Sequence, residues 1–126
     1  MSNRESMIRD YITAYNSFDI EGMVKNFHKD IEFINEFNGE ITMMTNSVEE
    51  FKGQAEHAKN YFQFREISIG DIQESNDTVT VSTRFNAGMI VEKKPGHPAK
   101  IQNVDMKGTT VFYFQDDQIV KMRDIY

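Results

Sequence analysis

Two stretches of this chain alternate apolar and polar residues over unusual lengths. Val79, Val81, Thr83, Phe85, Ala87 and Met89 occupy every second position. Val104, Met106, Gly108, Thr110, Phe112 and Phe114 do the same. Side chains of a strand point to opposite faces in turn, so each stretch predicts a long strand with one face toward a core. The start of the chain keeps a different period. Met7, Ile8, Tyr11, Ile12 and Tyr15 recur at helical spacing, which predicts a helix over about 3–17. Helices first and long hairpin-linked strands last predict an α+β fold, a curved antiparallel sheet wrapped around the N-terminal helices.

Local signals place the remaining elements. Ser2 and Glu5 have capping-box spacing before the first helix. Asp19 suits the N-cap of a short second helix whose apolar residues are Ile20, Met23, Val24 and Phe27. Asn38-Gly39, between Ile31–Phe37 and Glu40–Met44, predicts a two-residue hairpin, because both turn residues tolerate positive φ. Ser47 and Glu50 form a second capping box and open a third helix to about Phe62. Strand periodicity starts at Phe64, with Ile67 and Ile69 alternating with polar residues. Glu74–Asp77 and Gln115–Gln118 read as turns, Lys93–Pro98 as a loop and 119–126 as the last strand. No repeat or linker divides the sequence, so residues 1–126 are expected to form one domain.

Composition narrows the function classes. Fourteen Lys and Arg against twenty Asp and Glu leave a net charge of −6. That argues against a general nucleic-acid or anionic-membrane binder, which needs basic patches. There is no cysteine, and His28, His57 and His97 are widely scattered, so no metal site is expected. Glycine-rich dinucleotide and phosphate loops and the nucleophile-elbow motif are missing, so no cofactor is expected either. The opening residues carry charge with no apolar run behind them, and no stretch is long enough to span a membrane. A cytoplasmic protein is the default expectation.

Several segments resemble the nuclear-transport-factor-2-like superfamily, which includes ketosteroid isomerases and SnoaL-type polyketide cyclases. They are Tyr11–Met23, Phe27–Phe33, Val111–Phe114 and Gln118–Tyr126. The resemblance covers nearly the whole chain and implies a cone, a bent sheet folded around an apolar cavity lined by the helices. Tyr11 matches the tyrosine that ketosteroid isomerases use to bind an oxyanion. Asn35 stands where those enzymes have an aspartate base, and Thr110 where they have a protonated acid. With two of three catalytic parts replaced, the resemblance does not imply steroid isomerisation. SnoaL-type cyclases place an acid/base carboxylate on the last strand, and Asp124 matches it. Met122 and Arg123 replace the neighbouring histidine and tryptophan. The resemblance also implies a homodimer formed through the outer sheet face, here Thr80, Ser82, Arg84, Thr109, Val111 and Tyr113.

These residues suggest a chemistry. A carboxylate facing an aromatic cavity is desolvated, which raises its pKa and makes Asp124 a usable acid/base. The structural alternative pairs Asp124 with Arg84, Lys121 or Arg123. The Tyr11 hydroxyl could hold a developing oxyanion. Tyr15 could hydrogen-bond a ligand, and the Asn35 amide could orient one. Glu36 should point away from Asn35 by strand alternation unless a bulge shifts the register. Phe33, Phe51, Phe85, Met106, Thr110, Phe112 and Met122 complete the expected ligand-binding wall. Eight Met and ten Phe suit a bulky apolar or aromatic small molecule. The expected function is a small-molecule pocket with isomerase- or cyclase-like proton transfer. The alternatives are a binding module without chemistry and a homodimeric interaction domain. The lysines around Lys93–Lys100 could draw an anion to the cavity mouth or simply solvate a hairpin end.

Overall fold

The structure, a computed structural model, describes residues 3–126. Helix α1 spans Asn3–Asn16 and buries Met7, Ile8, Tyr11, Ile12 and Ala14. The capping box expected at Ser2 lies outside the described residues. Phe18 takes a positive φ of 58° where the chain leaves α1, and the Asp19 N–H donates to the Ala14 carbonyl at 2.8 Å. Asp19 then caps α2 (Ile20–Val24) by accepting from the Gly22 N–H at 3.0 Å.

Six strands follow: β1 Phe27–Phe37, β2 Glu40–Thr45, β3 Phe62–Glu74, β4 Thr78–Glu92, β5 Lys100–Gln115 and β6 Gln118–Ile125. They form one sheet in the order β2-β1-β6-β5-β4-β3. The fold class is the expected α+β arrangement of N-terminal helices and a curved, unclosed sheet. Register irregularities in β1, β3, β4 and β5 accompany the bend.

Three details differ from the sequence reading. The pairing of β1 with β6 is parallel, while the other strand pairs are antiparallel. Alternation sets a strand's faces but not its direction, and these two strands meet from opposite ends of the sequence. Strand β1 begins at Phe27, before its alternation starts, because Phe27 pairs with Ile119. Helix α3 (Val48–Ala58) ends in a short 3-10 turn, Lys59–Tyr61, and Phe62 already belongs to β3, paired with Met89.

The turn and cap readings agree with the structure. Asn38 and Gly39 both have positive φ, as do Asp116 and Asp117 between β5 and β6. The Ser47 hydroxyl accepts the Glu50 N–H at 3.1 Å. Glu50 reaches back to the Asn46 N–H, one residue earlier than a standard box, at 2.7 Å.

The end of α1 is pinned to the sheet edge at β3. The Asn16 amide accepts the Ile67 N–H at 2.7 Å and donates to the Ile67 carbonyl at 3.2 Å. A side-chain amide thereby stands in for a neighbouring strand. Two half-buried hydrogen bonds of this kind contribute about 1–3 kcal/mol. Asn16→Ala should therefore lower the unfolding free energy by about 2 kcal/mol in urea titrations. A loss below about 0.5 kcal/mol would show that the edge is held by packing alone.

Candidate functional site

The sheet pairing sets the floor of the cone row by row. Asn35, Asp124 and Thr110 are register neighbours on β1, β6 and β5. The adjacent row is Phe33, Met122, Phe112 and Val79. Met122, Phe112 and Val79 are fully buried, and Tyr11 meets Phe112 edge-on, so these three form the closed end of the core. On the other side Tyr126 lies over Gly108. A Cβ at Gly108 would sit 2.7 Å from the Tyr126 ring, so only glycine leaves room for that ring.

Beyond the closed end is a cavity of about 410 Å³. That volume lies within the range of small-molecule sites. Helices α1 and α2 contribute Tyr11, Tyr15 and Met23, and α3 contributes Phe51, Gln54, Ala55 and Ala58. Strand β1 contributes Phe33, Asn35 and Phe37, three residues in strand phase, and β2 adds Thr42 and Met43. The remaining wall is Phe62, Arg65, Phe85, Met106, Asp124 and Tyr126. Phe33 and Phe27 both meet Phe51 edge-on, at 5.3 and 5.0 Å between ring centres.

Of the residues expected on the wall, Tyr11, Tyr15, Phe33, Asn35, Phe51, Phe85, Met106 and Asp124 line this cavity. Thr110, Phe112 and Met122 do not. Phe112 and Met122 have the expected inward phase but lie too deep, under α1. Thr110 lies behind Asp124, and its hydroxyl donates to the Asp124 carboxylate at 2.7 Å.

None of the cations considered as partners for Asp124 reaches it. Arg84 is paired with Asp105, Arg123 with Glu36 and Lys121 with Glu32. Burial pushes the Asp124 carboxyl up to about 6, against the lowering effect of the Thr110 hydrogen bond. Tyr11 is 5% exposed, and burial, helped by the nearby Asp124 carboxylate, raises its pKa well above the usual phenol value. Tyr126 is raised by the same two causes. Both tyrosines are therefore neutral donors, and neither hydroxyl has a hydrogen-bond partner among the described residues.

The Asn35 side-chain amide donates to the Thr42 hydroxyl at 2.8 Å, and both residues line the cavity. The pairing of β1 with β2 is irregular at Asn35/Glu36. It does not turn Glu36 inward, since Glu36 accepts from Arg123 at 2.7 Å and is absent from the wall. Lys94 and Lys100 pair with Glu92 in the β4–β5 connection and take no part in the cavity.

The resemblance also implies Phe62 and Tyr126 near the cavity, and both line it. The sequence reading missed Arg65 and the α3 wall residues Gln54, Ala55 and Ala58. Arg65 is 4% exposed. Its strand phase was a usable signal, because Arg65 alternates with Ile67 and Ile69 on the apolar face of β3. Its guanidinium lies over the Tyr15 ring at 3.7 Å and the Phe18 ring at 4.3 Å. The Nε–H donates to the Tyr15 carbonyl at 2.9 Å.

A bent sheet and three helices enclosing an aromatic cavity, with one buried carboxylate in its wall, define a class of small α+β cone proteins. The chain belongs to the SnoaL-like domain family, whose model matches residues 8–122. Solved structures agree on the fold. TerC, co-crystallised with polyporic acid, is 15% identical, with 99% of this chain and 92% of that chain covered and a TM-score of 0.79. A candidate SnoaL-like polyketide cyclase from Shewanella putrefaciens CN-32 is 14% identical, covering 99% and 90%, with a TM-score of 0.81. A hypothetical protein with a ketosteroid isomerase-like fold from Catenulispora acidiphila DSM 44928, in complex with trimethylamine, is 13% identical, covering 95% and 84%, with a TM-score of 0.77. A search of curated protein sequences finds no significant match. No helix among the described residues is long and apolar enough to cross a membrane.

Proposed function

We propose that this protein binds a bulky, partly apolar small molecule in its cavity and moves a proton at one of its carbon atoms. The observation that carries this reading is Asp124, a buried carboxylate in the cavity wall with Thr110 as its hydrogen-bond donor and, among the described residues, no cation beside it. At neutral pH it is ionised yet poorly solvated, the state a general base needs. Asp124 would take a proton from a carbon beside a carbonyl. The C–H electron pair would pass into the carbonyl, and the resulting enolate oxygen would accept a hydrogen bond from the Tyr11 hydroxyl. The Asn35 carbonyl would orient a donor group on the substrate. Tyr15, Phe33, Phe51, Phe85 and Met106 would supply apolar contact. The family membership and the small molecules named with TerC and the Catenulispora protein support a ligand-holding cavity.

Deuterium uptake from heavy water into a panel of aryl β-ketoesters tests the chemistry. The expected rate rises with pH through about 6, as the base form appears, and then levels off. Asp124→Asn should lower it about a hundredfold or more while probe affinity stays within about threefold. Probe binding without any Asp124-dependent exchange would leave a binding module without chemistry.

We also propose that the outer sheet face forms a homodimer contact. Val111 and Tyr113 are only half-exposed there, on the face that also carries the Arg84–Asp105 pair further along the strands. A monomeric mass in sedimentation equilibrium at micromolar concentration would remove that reading.

A further inference from the structure

Arg65 is the cavity group that proton transfer leaves unused. It is nearly inaccessible, yet among the described residues no carboxylate pairs with it. Its Nε–H is taken by the Tyr15 carbonyl, and Nη2 lies 3.9 Å from the Met23 sulfur, a weak acceptor. The Tyr15 side chain also hydrogen-bonds the guanidinium, and no further acceptor among the described residues takes its remaining N–H groups. Tyr15 and Phe18 stack against the guanidinium, which fixes its plane before anything binds. An unpaired buried charge is unfavourable, and burial lowers the Arg65 pKa for that reason. A held guanidinium with free N–H groups on a cavity wall matches the two oxygens of a carboxylate.

The charges on the wall also set an orientation. Tyr11 and Tyr15 feel Arg65 and Asp124 with opposite sign, so the two tyrosines are close to both charges. An anionic group would be repelled at Asp124 and attracted at Arg65.

We propose that Arg65 anchors a carboxylate of the ligand, so that the cavity takes bulky aromatic or alicyclic acids in preference to their neutral analogues. This rests on reading the cavity as a ligand site. It adds that the substrate enters with its acidic end at β3, which turns its remaining carbon skeleton toward Tyr11 and Asp124.

Two probes of nearly the same shape decide it. These are para-phenylbenzoate and para-phenylbenzamide, titrated near neutral pH and followed by calorimetry and two-dimensional amide NMR. The parent protein should bind the benzoate about tenfold or more tightly than the benzamide, as a charge-assisted bond to a desolvated arginine requires. In Arg65→Met the preference should vanish while benzamide affinity stays within about threefold. Arg65→Lys should keep part of the preference, because it keeps the charge without the planar fork.

Equal binding of both probes by the parent protein would overturn the carboxylate anchor. It would leave the cavity reading standing, provided the shifted amides are those of the wall. A preference that persists in folded Arg65→Met would also overturn the anchor and leave Arg65 as a brace between α1 and β3. If that variant does not fold, the parent comparison and Arg65→Lys still decide. No binding of either probe would overturn both the anchor and the cavity reading.

Discussion

Asp124→Asn should make the protein more stable at neutral pH, by on the order of 2–3 kcal/mol. The carboxyl is raised from 3.8 to about 6 by burial, so the folded state holds this proton more tightly than the unfolded state does. Stability contributed by this group is therefore full below 3.8, falls as pH rises toward about 6, and is lost above it. Asparagine keeps an oxygen for the Thr110 hydroxyl and removes the ionisation. The variant and the parent should then have similar stability in strong acid and diverge through that window. Urea titrations across the pH range check this. A constant difference between the two proteins, or a variant less stable at neutral pH, would mean that Asp124 is not desolvated in the folded state. Stabilisation together with loss of proton exchange would be the trade expected of a group kept for chemistry.

Phe112→Ala should cost about 3–5 kcal/mol, the range for removing a fully buried aromatic ring. Phe112 has no exposed surface, neighbours Met122 and Val79 in the sheet, and supports the Tyr11 ring edge-on. Much of the total stability of a domain this size would be lost. Phe33→Ala is the informative comparison. Phe33 is in the same row but only partly buried, and it faces the cavity. Its loss should cost less, about 1–2 kcal/mol, and should weaken probe binding. Equal destabilisation by the two changes in urea would contradict the division between closed end and cavity. So would an affinity for probe that depends on Phe112 more than on Phe33.

That division also marks how far the site could be read from residue order. Asp124, Tyr11, Asn35 and Phe33 were legible because their phase follows from alternation or from helical spacing, and the resemblance supplied the fold. Phe112 and Met122 carry the same phase signal and yet lie in the core. Phase specifies a face and is silent about distance along the strand. Thr110 was legible as inward but not as the donor that holds Asp124. Arg65 showed its phase beside Ile67 and Ile69, but an arginine is ordinarily solvated. Its burial depends on Tyr15 and Phe18, about fifty residues earlier in the chain, closing over it.

Local physics thus accounts for the elements without their arrangement. The Asn38-Gly39 turn, the Ser47 and Asp19 caps, the helical stripe of α1 and the two long alternating strands all depend on neighbours a few residues apart. Such information is present in the order of residues. The parallel union of β1 with β6, the rows of side chains across the sheet, the raised Asp124 carboxyl and the caged Arg65 are different. Each depends on groups distant in sequence, and for Asp124 and Arg65 the dependence is desolvation by what lies nearby in space. Chain order cannot supply it until the sheet has bent and the helices have closed one end of the cone.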